Sequence, residues 1–333
     1  MAKRIILIHG RSTKPCKSTH EKLVKTALLQ GLNRVNEDAA KKVSKREVKL
    51  DIVYYGDINN RILAGQFERY EQSLSATDPA FDNVRCLPDD GLFEAVERLA
   101  TYRTFDRRAY RKVLRDYEDS RFLDSAARAV STIAAITTAT LLNEVAIKRA
   151  TADMGAYLMQ RSVGSEVRER LQSPLKRALK NNDDICLVAH SMGCMVSYDV
   201  LWKFSRMSEY RDVRENGNRV ARWVTLGCPL GEAGVKANLY DSNEREQQDG
   251  TDKHPKGIID QWENFAAFDD FISHDPTMKD DFRAMLKYDH LNSIKDHEKI
   301  YNCWVHDGKS NPHKFFGYLA NQKVAKVVAD WIG

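Results

Sequence analysis

Short apolar runs rich in β-branched residues recur along the chain, with segments of helical periodicity between them. This alternation encodes a largely parallel sheet covered by helices on both faces, because a strand buried on two sides has no polar face to show. The runs predict about six strands: Arg4 to Ile8, Val48 to Tyr55, Ile185 to Ala189, Val220 to Leu226, Trp262 to Phe268 and Ile300 to Val305. Helices are predicted from Thr19 to Val35, Gly193 to Met207 and Asn321 to Ile332. In the last, Asn321 is suited to cap the first turn, and Val324, Val327, Val328, Trp331 and Ile332 share one face.

Between the second and third strands, from Asp57 to Asn182, lies far more chain than one crossover helix needs, and its pattern is helical nearly throughout. The expected organisation is an α/β core of residues 1–56 and 183–333 with a helical insertion or cap at 57–182. Pro174 predicts the start of a fresh helix, and Asn181-Asn182-Asp183-Asp184 a turn into the third strand. Residues Gly231 to Lys256 are polar and glycine-containing, which predicts a mobile surface loop. The longest uncharged stretch, Ala129 to Asn143, is shorter than the roughly 20 residues that span a bilayer. A buried helix is expected there, with peripheral membrane contact as its other use.

Composition narrows the class. The chain has 333 residues, 42% hydrophobic and 30% charged, too apolar for a disordered protein and long enough for a sizeable core. Its 52 basic and 47 acidic side chains leave a net charge of +5, too small an excess to imply nucleic acid. Cysteines 16, 86, 186, 194, 228 and 303 have neither CxxC nor zinc-site spacing, so free thiols are expected. The apolar run at the N-terminus, Ile5 to Ile8, is too short for the core of a signal peptide, and a cytoplasmic location is expected.

The chemistry concentrates in Ile185-Cys186-Leu187-Val188-Ala189-His190-Ser191-Met192-Gly193, an apolar strand running through A-H-S-M-G into an amphipathic helix. A serine at such a tight strand-to-helix turn is lifted out of the sheet edge as a nucleophile. Ala189 and Gly193 are small where strand and helix backbones must approach. The turn aims the Met192 amide at a developing oxyanion, and the loop after His9-Gly10 offers a second donor, the Arg11 amide. An activated serine needs a base and an orienting carboxylate, in the chain order Ser, Asp or Glu, His. Asp270, with Asp269 as the alternative, ends the fifth strand, and His313, with His306 as the alternative, follows the sixth. His190 is read as a packing residue beside the site.

These residues resemble the α/β-hydrolases, particularly bacterial serine esterases and lipase-like hydrolases, and A-H-S-M-G is similar to the nucleophile turn of certain small bacterial lipases. The resemblance runs from Leu187 through Ser197-Tyr198-Asp199. It continues in Thr225-Leu226-Gly227-Cys228-Pro229-Leu230-Gly231, Trp262 to Ile272, and His313 with Gly317-Tyr318-Leu319. It implies a Ser191, His313 and Asp270 triad, an acyl-enzyme, hydrolysis of a small-molecule or lipid carboxylic ester, and no metal or organic cofactor. Asp57 to Tyr157 has no counterpart, although Asp153-Met154-Gly155-Ala156-Tyr157-Leu158 is similar to a segment ahead of the nucleophile turn. Two departures stand out: alanine for the first glycine of that turn, and Ala267 where relatives often carry a further aspartate.

Two readings compete. One is a catalytically silent α/β-hydrolase fold used for binding or signalling, against which the complete Ser, Asp, His order argues. The other is a nucleic-acid or acidic-lipid surface at Tyr102 to Arg115, where Arg103, Arg107, Arg108, Arg111, Lys112 and Arg115 interleave with aromatic residues. The acidic run Asp116, Glu118, Asp119 follows at once, so a solvated helix with internal charge pairing is expected instead, and no nucleic acid.

Overall fold

A computed structural model describes residues 1–82, 84–117, 152–215, 217–243, 253–273 and 275–333. The strands are β1 (Lys3–Ile8), β2 (Lys49–Val53), β3 (Ala76–Thr77), β4 (Arg85–Cys86), β5 (Asp184–His190), β6 (Val220–Leu226), β7 (Ile259–Ala267), β8 (Ser293–Ile300), β9 (Val305–His306) and β10 (Lys309–Ser310). Six of them form one sheet in the order β2-β1-β5-β6-β7-β8, every pair parallel. The fold is α/β, as the alternation of apolar runs and helical segments predicts.

Side chains alternate across the central strands with period two, and each face carries its own core. Ile6, Ile8, Leu187, Ala189, Trp223 and Trp262 face the helices Arg161–Lys180 and Met192–Arg206. Ile5, Leu7, Val188, Val224, Leu226 and Phe265 face the helices Lys17–Val35, Leu92–Ala100, Phe315–Ala320 and Gln322–Ile332. Each fully buried Leu, Ile or Val contributes about 1.5–3 kcal/mol through apolar area removed from water. In the last helix the Asn321 side chain accepts from the Lys323 amide, and Val324, Val328, Trp331 and Ile332 are buried.

Four expectations are corrected. The sixth strand of the sheet is Ser293–Ile300, not Ile300 to Val305. Its sequence, SIKDHEKI, has apolar residues only at its second and last positions, because an edge strand is wetted and its charges discourage further pairing. The apolar Cys303, Trp304 and Val305 are buried under the second core, and Val305–His306 pairs with Lys309–Ser310 across Asp307-Gly308, both at positive φ, a turn that Asp-Gly favours. Pro174 lies within the single helix Arg161–Lys180 rather than starting a new one, and the buried Leu171, Leu175, Ala178 and Leu179 hold that helix to the sheet across the hydrogen bond proline cannot make. Cys16 and Cys86 form a disulfide with Cα atoms 5.2 Å apart, whereas Cys186, Cys194, Cys228 and Cys303 are free and buried.

The segment expected to be a mobile loop at 231–256 is packed where it is described. Val235, Leu239 and Asp241 are buried, and His254 lies 2.7 Å from the Tyr198 hydroxyl. The uncharged stretch from Ala129 to Asn143, with its proposed membrane contact, lies outside the described residues. Among the described residues no helix is long and apolar enough to cross a membrane.

Candidate active site

The carboxyl ends of β1, β5, β6 and β7 meet above the middle of the sheet, where the loops of parallel sheets gather functional groups. β5 ends at His190 and the next helix begins at Met192, so Ser191 alone makes the turn, at φ 53° and ψ −125°. That left-handed backbone is strained for a residue with a Cβ. It is held from both sides: the Ser191 amide donates to the Leu226 carbonyl at 3.0 Å, and the Ser191 carbonyl accepts from the Cys194 amide at 2.8 Å. Two glycines make room. A Cβ on Gly193 would come within 2.6 Å of the His9 carbonyl oxygen, and one on Gly10 within 2.6 Å of the Ser191 Cβ.

The structure brings Ser191, His313 and Asp270 together in one hydrogen-bonded relay. His313 Nε2 lies 2.8 Å from Ser191 Oγ, and His313 Nδ1 lies 2.9 Å from both carboxylate oxygens of Asp270. With the carboxylate accepting, Nδ1 carries the proton and Nε2 is left to accept from the serine hydroxyl. Burial by itself pushes the Asp270 carboxyl up, but the charge and hydrogen bond of His313, the Tyr318 hydroxyl and the Ile272 amide outweigh it and hold the group below its ordinary value. The alternatives lie elsewhere. Asp269 accepts from the Tyr110 hydroxyl at 3.1 Å, and the His306 ring meets the Asp90 carbonyl at 2.6 Å.

Met192 is the first residue of its helix, where amide N–H groups have no carbonyl partner within the helix, so no helical hydrogen bond competes for its amide. Arg11 follows Gly10 on the loop pressed against Ser191. That loop is pinned by Asp153, a buried carboxylate that accepts from Arg11 Nε at 3.2 Å and from the Ser12 amide at 2.5 Å. His9 anchors its start, stacking on Tyr55 with ring centres 4.0 Å apart and accepting the Tyr55 amide at Nε2.

Several positioning residues escape a sequence search for chemistry. Tyr318 donates to Asp270 at 2.6 Å. Asn302, fully buried, donates to the carbonyls of Pro312 and Lys314 at 2.8 and 2.9 Å, clamping the chain on both sides of His313. His190 Nε2 donates to the His313 carbonyl at 2.7 Å while its ring stacks on Phe315. The nearest signals were the Asp153-Met154-Gly155 and Gly317-Tyr318-Leu319 strings, which marked segments without giving roles; Asn302 had none.

The relay opens into a cavity of about 380 Å³. Leu87, Leu92, Ile272, Phe315 and Phe316 supply apolar wall, and Arg11, Lys14 and Lys314 supply charge. No protein family model, curated protein or solved structure matches the chain. Among the described residues no cluster of His, Cys, Asp or Glu could hold a metal ion. The basic segment predicted to be a solvated helix forms the helix Arg107–Asp116, which buries Tyr110 and Val113 and pairs Arg115 with Asp116 at 3.4 Å.

Proposed function

We propose that the protein is an α/β-hydrolase that cleaves a carboxylic ester through Ser191, His313 and Asp270. The observation that supports this most is the unbroken relay of 2.8 and 2.9 Å contacts ending on a serine in a strained strand-to-helix turn. His313 Nε2 takes the hydroxyl proton as Ser191 Oγ attacks the ester carbonyl, and the amides of Met192 and Arg11 receive the oxyanion. The tetrahedral intermediate collapses with the alcohol leaving on the proton from His313, so the acyl group remains on Ser191. Water, deprotonated by the same imidazole, then attacks the acyl-enzyme and restores the serine. Asp270 stays ionised and holds the tautomer throughout.

The cavity size favours a compact acyl group over a long lipid chain, near the lower end of the 300–1,000 Å³ common for small-molecule sites. The test is labelling by a fluorophosphonate probe in the wild type and in Ser191→Ala, followed by a p-nitrophenyl ester series of increasing chain length. Labelling of the wild type alone, with hydrolysis fastest for short chains, is expected. A folded wild type that neither labels nor cleaves any ester overturns the reading and returns the silent scaffold.

A further inference from the structure

Among the described residues the cavity beside Ser191 is lined by no acidic side chain, and its two lysines have no carboxylate within salt-bridge distance. The Lys14 ammonium donates to the carbonyls of Arg11 and Ser12 at 2.5 and 2.9 Å. The nearby carboxylate of Asp153 is already taken by Arg11 and the Ser12 amide. The Lys314 ammonium sits 5.4 Å from the ring centres of both Trp304 and Phe316. Between the two lies His20, 2% exposed, with neither ring nitrogen hydrogen-bonded among the described residues. Its ring packs on Tyr54, which abuts Lys14 across Gly56, and on Phe316, which abuts Lys314.

A buried imidazole with both nitrogens unpaired is rare in a folded protein, because the desolvated group gains nothing in return. Here it faces the cavity together with two desolvated ammonium groups. Burial, then the charge of Lys314, lowers Lys14 to about 7, and burial lowers Lys314 to about 8, so both cations are held at the edge of losing their protons. Burial followed by the charges of Lys14 and Lys314 keeps His20 well below its ordinary value, hence a neutral ring with one N–H to donate. Each of these deficits is relieved by the same guest, a group of anionic oxygens.

Building on the hydrolase reading, we propose that the ester substrate carries a carboxylate or phosphate group, which seats between Lys14 and Lys314 and accepts the His20 N–H while the ester carbonyl lies at Ser191. The anion then fixes the distance between charge and scissile bond, which makes this pair of lysines the specificity determinant of the site.

Two measurements test it. In the first, Ser191→Ala protein is titrated with succinate and with inorganic phosphate and its thermal unfolding followed. A rise in Tm with either is expected, the effective ion reporting whether the recognised group is a carboxylate or a phosphate, and the rise is expected to vanish in Ser191→Ala carrying Lys314→Met, which removes the charge while keeping an unbranched side chain. In the second, wild-type kcat/KM for mono-p-nitrophenyl succinate is compared with that for p-nitrophenyl butyrate, matched in length and leaving group. A preference of at least tenfold for the anionic ester, falling to near unity in Lys314→Met and in Lys14→Gln, supports the proposal. Equal rates for the two esters, with neither anion raising Tm, overturn it while leaving the hydrolase standing. Absence of probe labelling with anion protection intact instead removes the ester chemistry and keeps the anion site.

Discussion

Tyr318 donates its hydroxyl to the carboxylate of Asp270 at 2.6 Å and, with the same oxygen, accepts the amide of Ala267 at 2.9 Å. One buried phenol thus ties the acid of the relay to the end of β7 and fixes its orientation toward His313. Tyr318→Phe removes both bonds without changing the packing volume. The loss of a hydrogen bond to a charged group, about 1.5–3 kcal/mol, should lower kcat roughly tenfold or more. The pH dependence has a definite sign. Asp270 is held below its ordinary 3.8, so its ionised form stabilises the fold above that pH, and the contribution disappears as pH falls through the lowered folded value. Removing the phenol raises the folded value toward 3.8. The Tm deficit of Tyr318→Phe should therefore be full at pH 7 and shrink below pH 4, as thermal melts across that range will show.

Gly227 follows β6 at φ +54°, and a Cβ there would lie 2.8 Å from both Asp270 Oδ2 and His313 Nδ1. The site therefore requires glycine on two grounds, backbone hand and space. Gly227→Ala should destabilise by about 1–2 kcal/mol from the left-handed backbone alone and, by forcing the imidazole and carboxylate apart, cost on the order of 100-fold in kcat. Gly217 provides the control: its φ is +65° but among the described residues nothing lies within 4 Å of the added Cβ. Gly217→Ala should show a comparable Tm loss with ester hydrolysis unchanged.

The clamp on His313 can be tested by inverting its polarity. Asn302 presents Nδ2 to two carbonyls and Oδ1 to the Trp304 amide at 3.1 Å, and the absent side chain of Gly317 makes room for it, since a Cβ there would fall 1.7 Å from Oδ1. Asn302→Ala should cost about 3 kcal/mol in unfolding free energy by leaving buried carbonyls unpaired. Asn302→Asp should be worse, because it sets a carboxylate oxygen against the carbonyls of Pro312 and Lys314. Chemical denaturation ranks the two, and an aspartate variant as stable as wild type would show that the clamp does not carry the loop.

What the sequence made legible follows from which groups act locally. A strand buried on both faces must be apolar, so β1, β5, β6 and β7 stand out, and a nucleophile turn needs small residues at fixed offsets, so Ser191 stands out as well. The edge strand Ser293–Ile300 does not, because its exposure removes the pattern, and the apolar residues of 303–305 offered a false strand beside it. Asp269 against Asp270 and His306 against His313 are one step apart or on one loop, and only tertiary geometry separates them. Asn302 and Tyr318 act through tertiary hydrogen bonds, and His20 is marked by ring nitrogens that find no hydrogen-bond partner among the described residues, none of which a local pattern records. The Cys16–Cys86 pair is the same case: a separation of 70 residues leaves no spacing motif to read.

That disulfide makes a prediction about the site as well as the fold. Cys16 follows Pro15, and Cys86 precedes Leu87; Pro15 and Leu87 pair as a parallel bridge and both line the cavity. The cross-link therefore staples the cavity wall that carries Lys14 to the β3–β4 hairpin. Of the six cysteines, four should titrate as thiols in denatured, unreduced protein, and six after reduction. Closing a loop of this length is worth about 4 kcal/mol in the chain-entropy account. Reduction should accordingly lower Tm by several degrees. It should also raise KM, because the wall is loosened, more than it lowers kcat, because the relay of Ser191, His313 and Asp270 contains neither cysteine and is held by its own hydrogen bonds. Six titrating thiols in the unreduced protein, or an unchanged Tm on reduction, would show that no such cross-link holds the wall.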